Sequence, residues 1–260
     1  MKIFSYIIVL IFIISAIWAV FIEPYILKIT KYSVENNDLS GMRIVFASDF
    51  HIKTYEMGRL RKIISEINNQ KPDLILLGGD YVNGHKPTMS MKSDKIAKEL
   101  KTLNSKYGTY AVMGNHDGWQ GKYQIIKNLE QNGITVLENT NKDFGLFTIA
   151  GVEDIQTGNP DIEKTLLGAG KNIILFTHNP DVFPEIPENV ILVLAGHLHG
   201  GQIKIPGRGN FMIPSKYGNK YVYGEVKEHG KTIFTSKGLG TSILPVRFNC
   251  PPEIVVIDFK

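Results

Sequence analysis

The run VILVLAGHLHGGQ, residues 190–202, decides how this chain is read. Six apolar residues stop at Gly196, and two histidines one residue apart, His197 and His199, follow before two more glycines. A run with no alternating polar positions predicts a strand covered on both faces, as in a sheet buried between layers. Paired imidazoles just past the end of such a strand lie at a sheet edge, where open α/β sheets bind ligands.

The same punctuation recurs along the chain. MRIVFAS (42–48) runs into SDFHI, with Asp49 and His51; DLILLGG (73–79) runs into Asp80. TYAVMG (109–114) is followed by Asn115, His116 and Asp117, and NIILFT (172–177) by His178. Between the early runs lie amphipathic helical patterns at 58–70, 91–103 and 122–132. This alternation predicts α/β layering. QIKI (202–205), YVYGEV (221–226), KTIFTS (231–236) and EIVVIDF (253–259) are separated by turn residues, which predicts a second, more antiparallel sheet.

In an extended segment residues i and i+2 point to one side, so Asp49 with His51, and His197 with His199, are expected to project as pairs. With Asp80, Asn115 and His178 they bring seven groups to one edge. Carboxylate, imidazole and carboxamide oxygen suit Mn²⁺, Fe, Zn²⁺ or Mg²⁺ rather than a thiolate site. Seven donors exceed the need of one ion, and two ions bridged by a carboxylate, about 3.5–4 Å apart, is the economical arrangement. Any one of these fragments alone reads as a hydrogen-bonded turn; five in order after five apolar runs do not. His85 and His229 fall outside the pattern and are expected in solvated loops.

The chain has 260 residues, 43% hydrophobic and 21% charged, and a net charge of +4. That balance fits a packed α/β chain, and with no long basic run a nucleic-acid partner is not expected. The single Cys250 excludes an internal disulfide and, beside Pro251 and Pro252, reads as a packed loop. From Ile3 to Ile22 there are 20 residues without a charge. As a helix they would cross about 30 Å of hydrocarbon, longer than the apolar region of a signal peptide. The expected organisation is a transmembrane anchor at 1–22, a juxtamembrane linker at 23–40 and a catalytic domain at 41–260. Lysines flank both ends of the apolar stretch, so its orientation is open.

The ordered set SDFHI, GGD, GNHD, THNPD and GHLHGGQ resembles the signature of the calcineurin-like metallophosphoesterases, from about residue 42 to the end. The resemblance implies a four-layer α-β-β-α sandwich. It implies that Asp49, His51, Asp80 and His199 hold one metal, and that Asp80, Asn115, His178 and His197 hold the other. Asn115 and His116 are the implied catalytic residues, His116 as a general acid or electrostatic stabiliser rather than a ligand. Mn²⁺ is the first expectation for the two ions, with Fe or Zn²⁺ compatible. The protein phosphatases of the superfamily carry an Asp, followed by Arg, three residues after the second motif; here Asn83 and Gly84 stand there, which disfavours a phosphoprotein substrate.

The amino-terminal stretch, GNHDGW and the ending GLGTSILPVRFNCPPEIVVIDF look like a membrane-associated bacterial subgroup that includes phosphodiesterases and UDP-2,3-diacylglucosamine hydrolases of lipid A synthesis. The expectation is therefore a single-pass protein of a bacterial cell membrane, cleaving a phosphodiester or pyrophosphate bond in a lipid-linked substrate. A phosphodiesterase on soluble nucleotides or wall-derived phosphodiesters is the alternative, and a non-catalytic metal-binding scaffold a third. The basic and aromatic segment 205–223, with Arg208, Phe211, Met212, Lys216, Tyr217, Lys220, Tyr221 and Tyr223, suits a lipid headgroup surface, a stacked base or plain cover of the sheet end. Arg247 is a candidate phosphate contact, and Gln202 with its neighbouring glycines either admits substrate or makes a tight turn.

Overall fold

The apolar runs are apolar throughout because each strand has a layer on both sides. In strand β2, Ile44 and Phe46 point one way and Val45 and Ala47 the other, and all four are fully buried. The computed structural model describes residues 2–210 and 213–260. Met1 of the expected anchor, and Phe211 and Met212 of the basic and aromatic segment, lie outside the described residues.

The first sheet uses β1 (Lys28–Val34), β2 (Arg43–Ala47), β3 (Leu74–Leu77), β4 (Thr109–Ala111) and β5 (Thr135–Val136). The second uses β6 (Thr140–Asp143), β7 (Thr148–Val152), β8 (Ile173–Thr177) and β9 (Val190–Ala195). A short ribbon follows, β10 (Lys204–Ile205) with β11 (Gly209–Asn210). β12 (Gly224–Glu228) and β13 (Lys231–Thr235) complete the second sheet, and β14 (Glu253–Phe259) returns to the first. The orders are β1-β14-β2-β3-β4-β5 and β12-β13-β9-β8-β7-β6.

Between the sheets, Ile44, Phe46, Leu74, Leu76 and Val112 meet Ile174, Phe176, Leu192, Leu194 and Phe234. The helices α1 (Lys2–Ile17), α2 (Met57–Asn69), α3 (Ser93–Leu100), α4 (Asn115–Glu130) and α5 (Ile162–Leu166) divide unequally. Leu60 and Ile63 of α2, Leu100 of α3 and Leu129 of α4 cover the outer face of the first sheet. The second sheet is covered by little more than α5 and the short turn at Pro180–Glu185, through Ile162, Leu166, Val182 and Phe183. The result is the expected four layers, with the fourth thin.

Two expectations need correction. The second sheet is parallel at its centre, β7-β8-β9-β13, and antiparallel only where β6 and β12 form its edges. The run at 253–259 joins the first sheet instead, antiparallel to β2. The stretch 23–40, expected as a linker, carries β1, which pairs parallel with β14 from Lys28↔Glu253 to Val34↔Phe259. Its half-buried edge position leaves a weak apolar signal in the sequence.

Within Phe4–Tyr25 an 18-residue window has a mean hydropathy of 2.7, and the segment is long and apolar enough to cross a membrane. The regular helix ends at Ile17 and widens into a π turn over Trp18–Ile22. At its foot Glu23 is buried, accepting from Trp18 Nε1 at 2.8 Å and from Cys250 N at 2.5 Å. Ala19 O accepts from Arg247 N at 2.9 Å, so the helix end is tied to the loop before β14.

Candidate metal centre

Because β2, β3 and β4 run parallel, and β7, β8, β9 and β13 likewise, each sheet collects its strand C-termini on one edge. These two edges meet. His178 Nδ1, after β8, donates to Gly78 O, after β3, at 2.8 Å, and His197 N, after β9, donates to Asp49 Oδ1, after β2, at 3.0 Å.

The pairing of side chains expected from an extended backbone is achieved in another way. Asp49, His51, Asp80, His197 and His199 all have positive φ, between 42° and 69°, a region that non-glycine residues seldom adopt. Each strand end is kinked so that its side chains turn inward, and tertiary hydrogen bonds hold the kinks: Asp49 N to Gly79 O at 3.0 Å, His51 N to Asp80 O at 2.9 Å. Strain of this kind persists only where the surroundings impose it, and it concentrates at functional sites. A side chain at Gly114 or Gly196 would run into the Asp80 or Asp49 carboxylate, so both positions require glycine.

All seven expected donors converge, and every one is buried. His51 Nε2 lies 3.1 Å from His199 Nε2 and 3.4 Å from Asp80 Oδ2; His199 Nε2 lies 3.4 Å from Asp49 Oδ1. On the other side, His178 Nε2 is 3.3 Å from Asp80 Oδ2, 3.0 Å from Asn115 Oδ1 and 3.2 Å from His197 Nδ1, and His197 Nδ1 is 3.1 Å from Asn115 Oδ1. Asp80 stands between the two groups. With its Nδ1–H given to Gly78 O, a neutral His178 turns a lone pair toward two further acceptors, Asp80 and Asn115. A buried convergence of acceptors calls for a cation at its centre, and this donor set fits two divalent ions.

In the metal-free protein the four imidazoles divide, three held neutral and His178 held protonated by the carboxylates that a cation would otherwise face. Burial pushes His51 and His197 down to about 3 and His199 well below the usual imidazole range, so all three keep lone pairs free for coordination. Burial alone would lower His178, but the Asp80 and Asp49 carboxylates raise it well above its ordinary value. Burial alone would raise Asp80, but His178, His51 and His116 hold it below the carboxylate range. Asp49, desolvated and beside the Asp80 charge, is pushed up to about 6.

His116 opens α4, its backbone N–H donating to Asp80 Oδ1 at 2.8 Å. Gly121, at φ 111°, breaks this helix, so the pattern expected from 122 begins directly after the break, and the short helical segment before it carries polar site residues and no apolar period. The acidic partner missing at Asn83 is replaced by a carbonyl: His116 Nδ1 donates to Gly84 O at 2.9 Å. That leaves Nε2 facing Ser242 Oγ at 3.3 Å and a pocket of about 190 Å³. Asp80, Asn115, His197 and His199 form its floor, and Trp119, Leu198, Ile203, Ile243 and Leu244 its walls.

His85, expected apart from the site, lines this pocket and stacks on Trp119 with centroids 4.4 Å apart. His229 is exposed in the β12–β13 turn, as expected. Arg247 is not a phosphate contact. It is fully buried, its guanidinium donating to the carbonyls of Gly240, Cys250, Lys237 and Gly238. Cys250 is buried too, its thiol donating to His199 O at 3.1 Å. Gln202 holds the 242–244 loop rather than a substrate path, accepting from Ser242 N at 2.8 Å and donating to Ser242 O and Leu244 O. Asp154 and Gln156, at the end of β7, escaped the sequence reading. Gln156 Nε2 lies 3.2 Å from His197 Nε2, and the run FTIAGVED (147–154) carried the same apolar-then-acidic signal as the others.

Residues 42–201 match the calcineurin-like phosphoesterase family. The uncharacterized metallophosphoesterase YkuE of Bacillus subtilis is 32% identical over 257 residues, covering 94% of this chain and 89% of its own. An uncharacterized metallophosphoesterase of Aquifex aeolicus is 30% identical, covering 92% of this chain and 94% of its own. The phosphodiesterase YaeI of Escherichia coli is 32% identical over 236 residues, covering 85% of this chain and 83% of its own. The family match spans every donor from Asp49 to His199, and these relatives align along most of their length: the chain belongs to the calcineurin-like phosphoesterases and is a metal-dependent phosphoester hydrolase.

Proposed function

We propose that this chain is a membrane-anchored phosphodiesterase that cleaves a phosphodiester or pyrophosphate bond in a lipid-linked substrate, of which UDP-2,3-diacylglucosamine in lipid A synthesis is one form. Asp49, His51, Asp80 and His199 would hold one divalent ion and Asp80, Asn115, His178 and His197 the other. The observation that carries this reading is the convergence of seven buried donors, from five strand ends, about the single Asp80 carboxylate. The apolar walls over a charged floor, and the apolar amino-terminal helix, support a substrate with a lipid portion.

Bound divalent ions supply Lewis acidity, drawing charge from the phosphoryl oxygens and acidifying bound water. The protein's own groups do the rest. Asp80 holds the two halves in register, because its carboxylate faces His51 on one side and His178 on the other. His116, oriented through Nδ1 by the Gly84 carbonyl, presents Nε2 to the pocket, where it hands a proton to the departing oxygen or stabilises its charge. Trp119 and Leu198 exclude water from one flank of the reacting group.

The test is to load purified full-length protein with Mn²⁺, measure bound metal, and compare hydrolysis of UDP-2,3-diacylglucosamine, phospholipids in vesicles, and nucleotides. Preferred cleavage of a lipid-linked phosphoester supports the proposal. Equal turnover of small nucleotides without lipid would remove the lipid part, and protein that takes up no ion would remove the centre.

A further inference from the structure

Ile243 is 81% exposed and sits at φ 62°, where a β-branched residue is rarely found. Leu244 N donates to Ser242 O at 2.7 Å, closing a γ-turn of the strained, positive-φ form around it. The side chain of Gln202, three residues past the metal-centre His199, clamps this turn through Ser242 and Leu244. A solvated turn of this shape would favour Gly or Asn. Here the backbone is strained to hold Ile243, Leu244 and Pro245 outward, which water does not reward.

The loop is also a partition. On one side Ile243 and Leu244 wall the catalytic pocket. On the other, Thr241 and Pro245 line a cleft with Phe21 and Tyr25 of the amino-terminal helix foot, and Arg247 N ties the loop to Ala19 O. Lys53 lines that same cleft, and the exposed Lys62 lines the neighbouring one, which shares Tyr25. Cations beside aromatic rings at the end of an apolar helix match the anionic headgroup layer of a bilayer.

We propose that the Thr241–Val246 loop is a membrane-docking element: Ile243 and Leu244 enter the leaflet beside the amino-terminal helix, so the pocket opens onto the bilayer and takes its phosphoester from a lipid in place. The proposal rests on the reading of that helix as an anchor. The loop also carries Ser242, whose hydroxyl reaches His116 Nε2, so docking fixes one wall of the reaction site.

The experiment uses full-length, Mn²⁺-loaded protein in vesicles of phosphatidylethanolamine and phosphatidylglycerol. Ile243→Cys, or Leu244→Cys as a second site, is labelled with an environment-sensitive fluorophore; the native Cys250 is buried and stays unlabelled. Leu146→Cys, exposed before β7 at the opposite sheet edge, is the reference. The expected result is a blue-shifted emission at 243 and 244, quenched by spin-labelled lipid several-fold more strongly than at 146. Water-like emission at both loop sites, on protein that floats with the vesicles, would overturn the docking loop and leave the anchor standing. Protein that fails to float would overturn anchor and loop together. Metal content and hydrolysis of an artificial phosphodiester, measured on the same samples, report separately on the catalytic reading.

Discussion

At the scale of single residues, Asp80 and His116 separate holding metal from using it. Asp80→Asn removes the charge shared by both halves, so both ions should bind more weakly and hydrolysis should be lost with them. His116→Ala touches no expected ligand bond and should keep its metal while turnover falls about 10²–10⁴-fold, the usual worth of a proton-transferring group. Elemental analysis with hydrolysis of an artificial phosphodiester distinguishes the two, and full activity in His116→Ala would remove it from the chemistry. His197 adds a pH signature to the metal-free protein. Burial holds it at about 3, against about 6.5 in an unfolded chain. Between those values the unfolded chain binds a proton that the folded one refuses, so this residue makes stability fall as pH drops from about 6.5 toward 3. Its contribution to the slope is up to about 1.4 kcal/mol per pH unit. Asp49, pushed up to about 6, acts with the opposite sign, so the net curve alone is uninformative. Denaturant titrations of chelated wild type and His197→Gln should differ by that slope in that window and run parallel above about pH 7.

At the scale of elements, the strand ends were legible and the turns that aim them were not. Apolar runs stopping at Asp, His or Asn mark an edge at once, which is why the sequence names the seven side chains that the fold brings together. The left-handed backbone at Asp49, His51 and Asp80 runs against the intrinsic preference of these residues and is imposed by partners far away in sequence, so no local pattern announces it. The short helical segment before the Gly121 break leaves no apolar pattern for a similar reason: it is polar because it is chemical. Edge strands β1 and β6 carry weak patterns because only one side of each is covered. Arg247 was misread because a guanidinium satisfied by carbonyls looks, in sequence, like one waiting for phosphate. Asp117 shows what the α4 turn does. Its carboxylate accepts from Asp80 N at 2.7 Å, Tyr81 N at 2.9 Å, Gly114 N at 3.0 Å and Val82 N at 3.3 Å. Burial and the Asp80 charge push it up to about 7, and the backbone donors oppose that rise. Asp117→Asn sets an NH₂ against one or more of these donors. It should cost about 1–3 kcal/mol in urea denaturation and misplace Asp80, weakening metal binding though Asp117 itself holds none.

At the scale of the whole molecule, the centre is a bond between two sheets. Asp49, His51, Asp80 and Asn115 follow strands of the first sheet, and His178, His197 and His199 follow strands of the second, while Phe46, Leu76, Phe176 and Leu194 pack between them. The apolar layer needs no metal. Stripping the ions should therefore leave both sheets folded and loosen only the edge where unpaired donors then face one another. Binding to the folded state alone stabilises by about 2.7 kcal/mol when free metal is 100 times its dissociation constant. In a chain of this size each kcal/mol moves the melting temperature by roughly 2–4 °C. Chelation should thus lower the melting point by about 5–10 °C with little change in far-ultraviolet circular dichroism, and added Mn²⁺ should restore it. Asp80→Asn should show only a small part of that shift, because it has lost the shared charge through which both ions act. A wild-type melting point indifferent to chelator and to added Mn²⁺ would mean that no ion joins the two sheets, and the reading of the seven donors as a metal centre would fall with it.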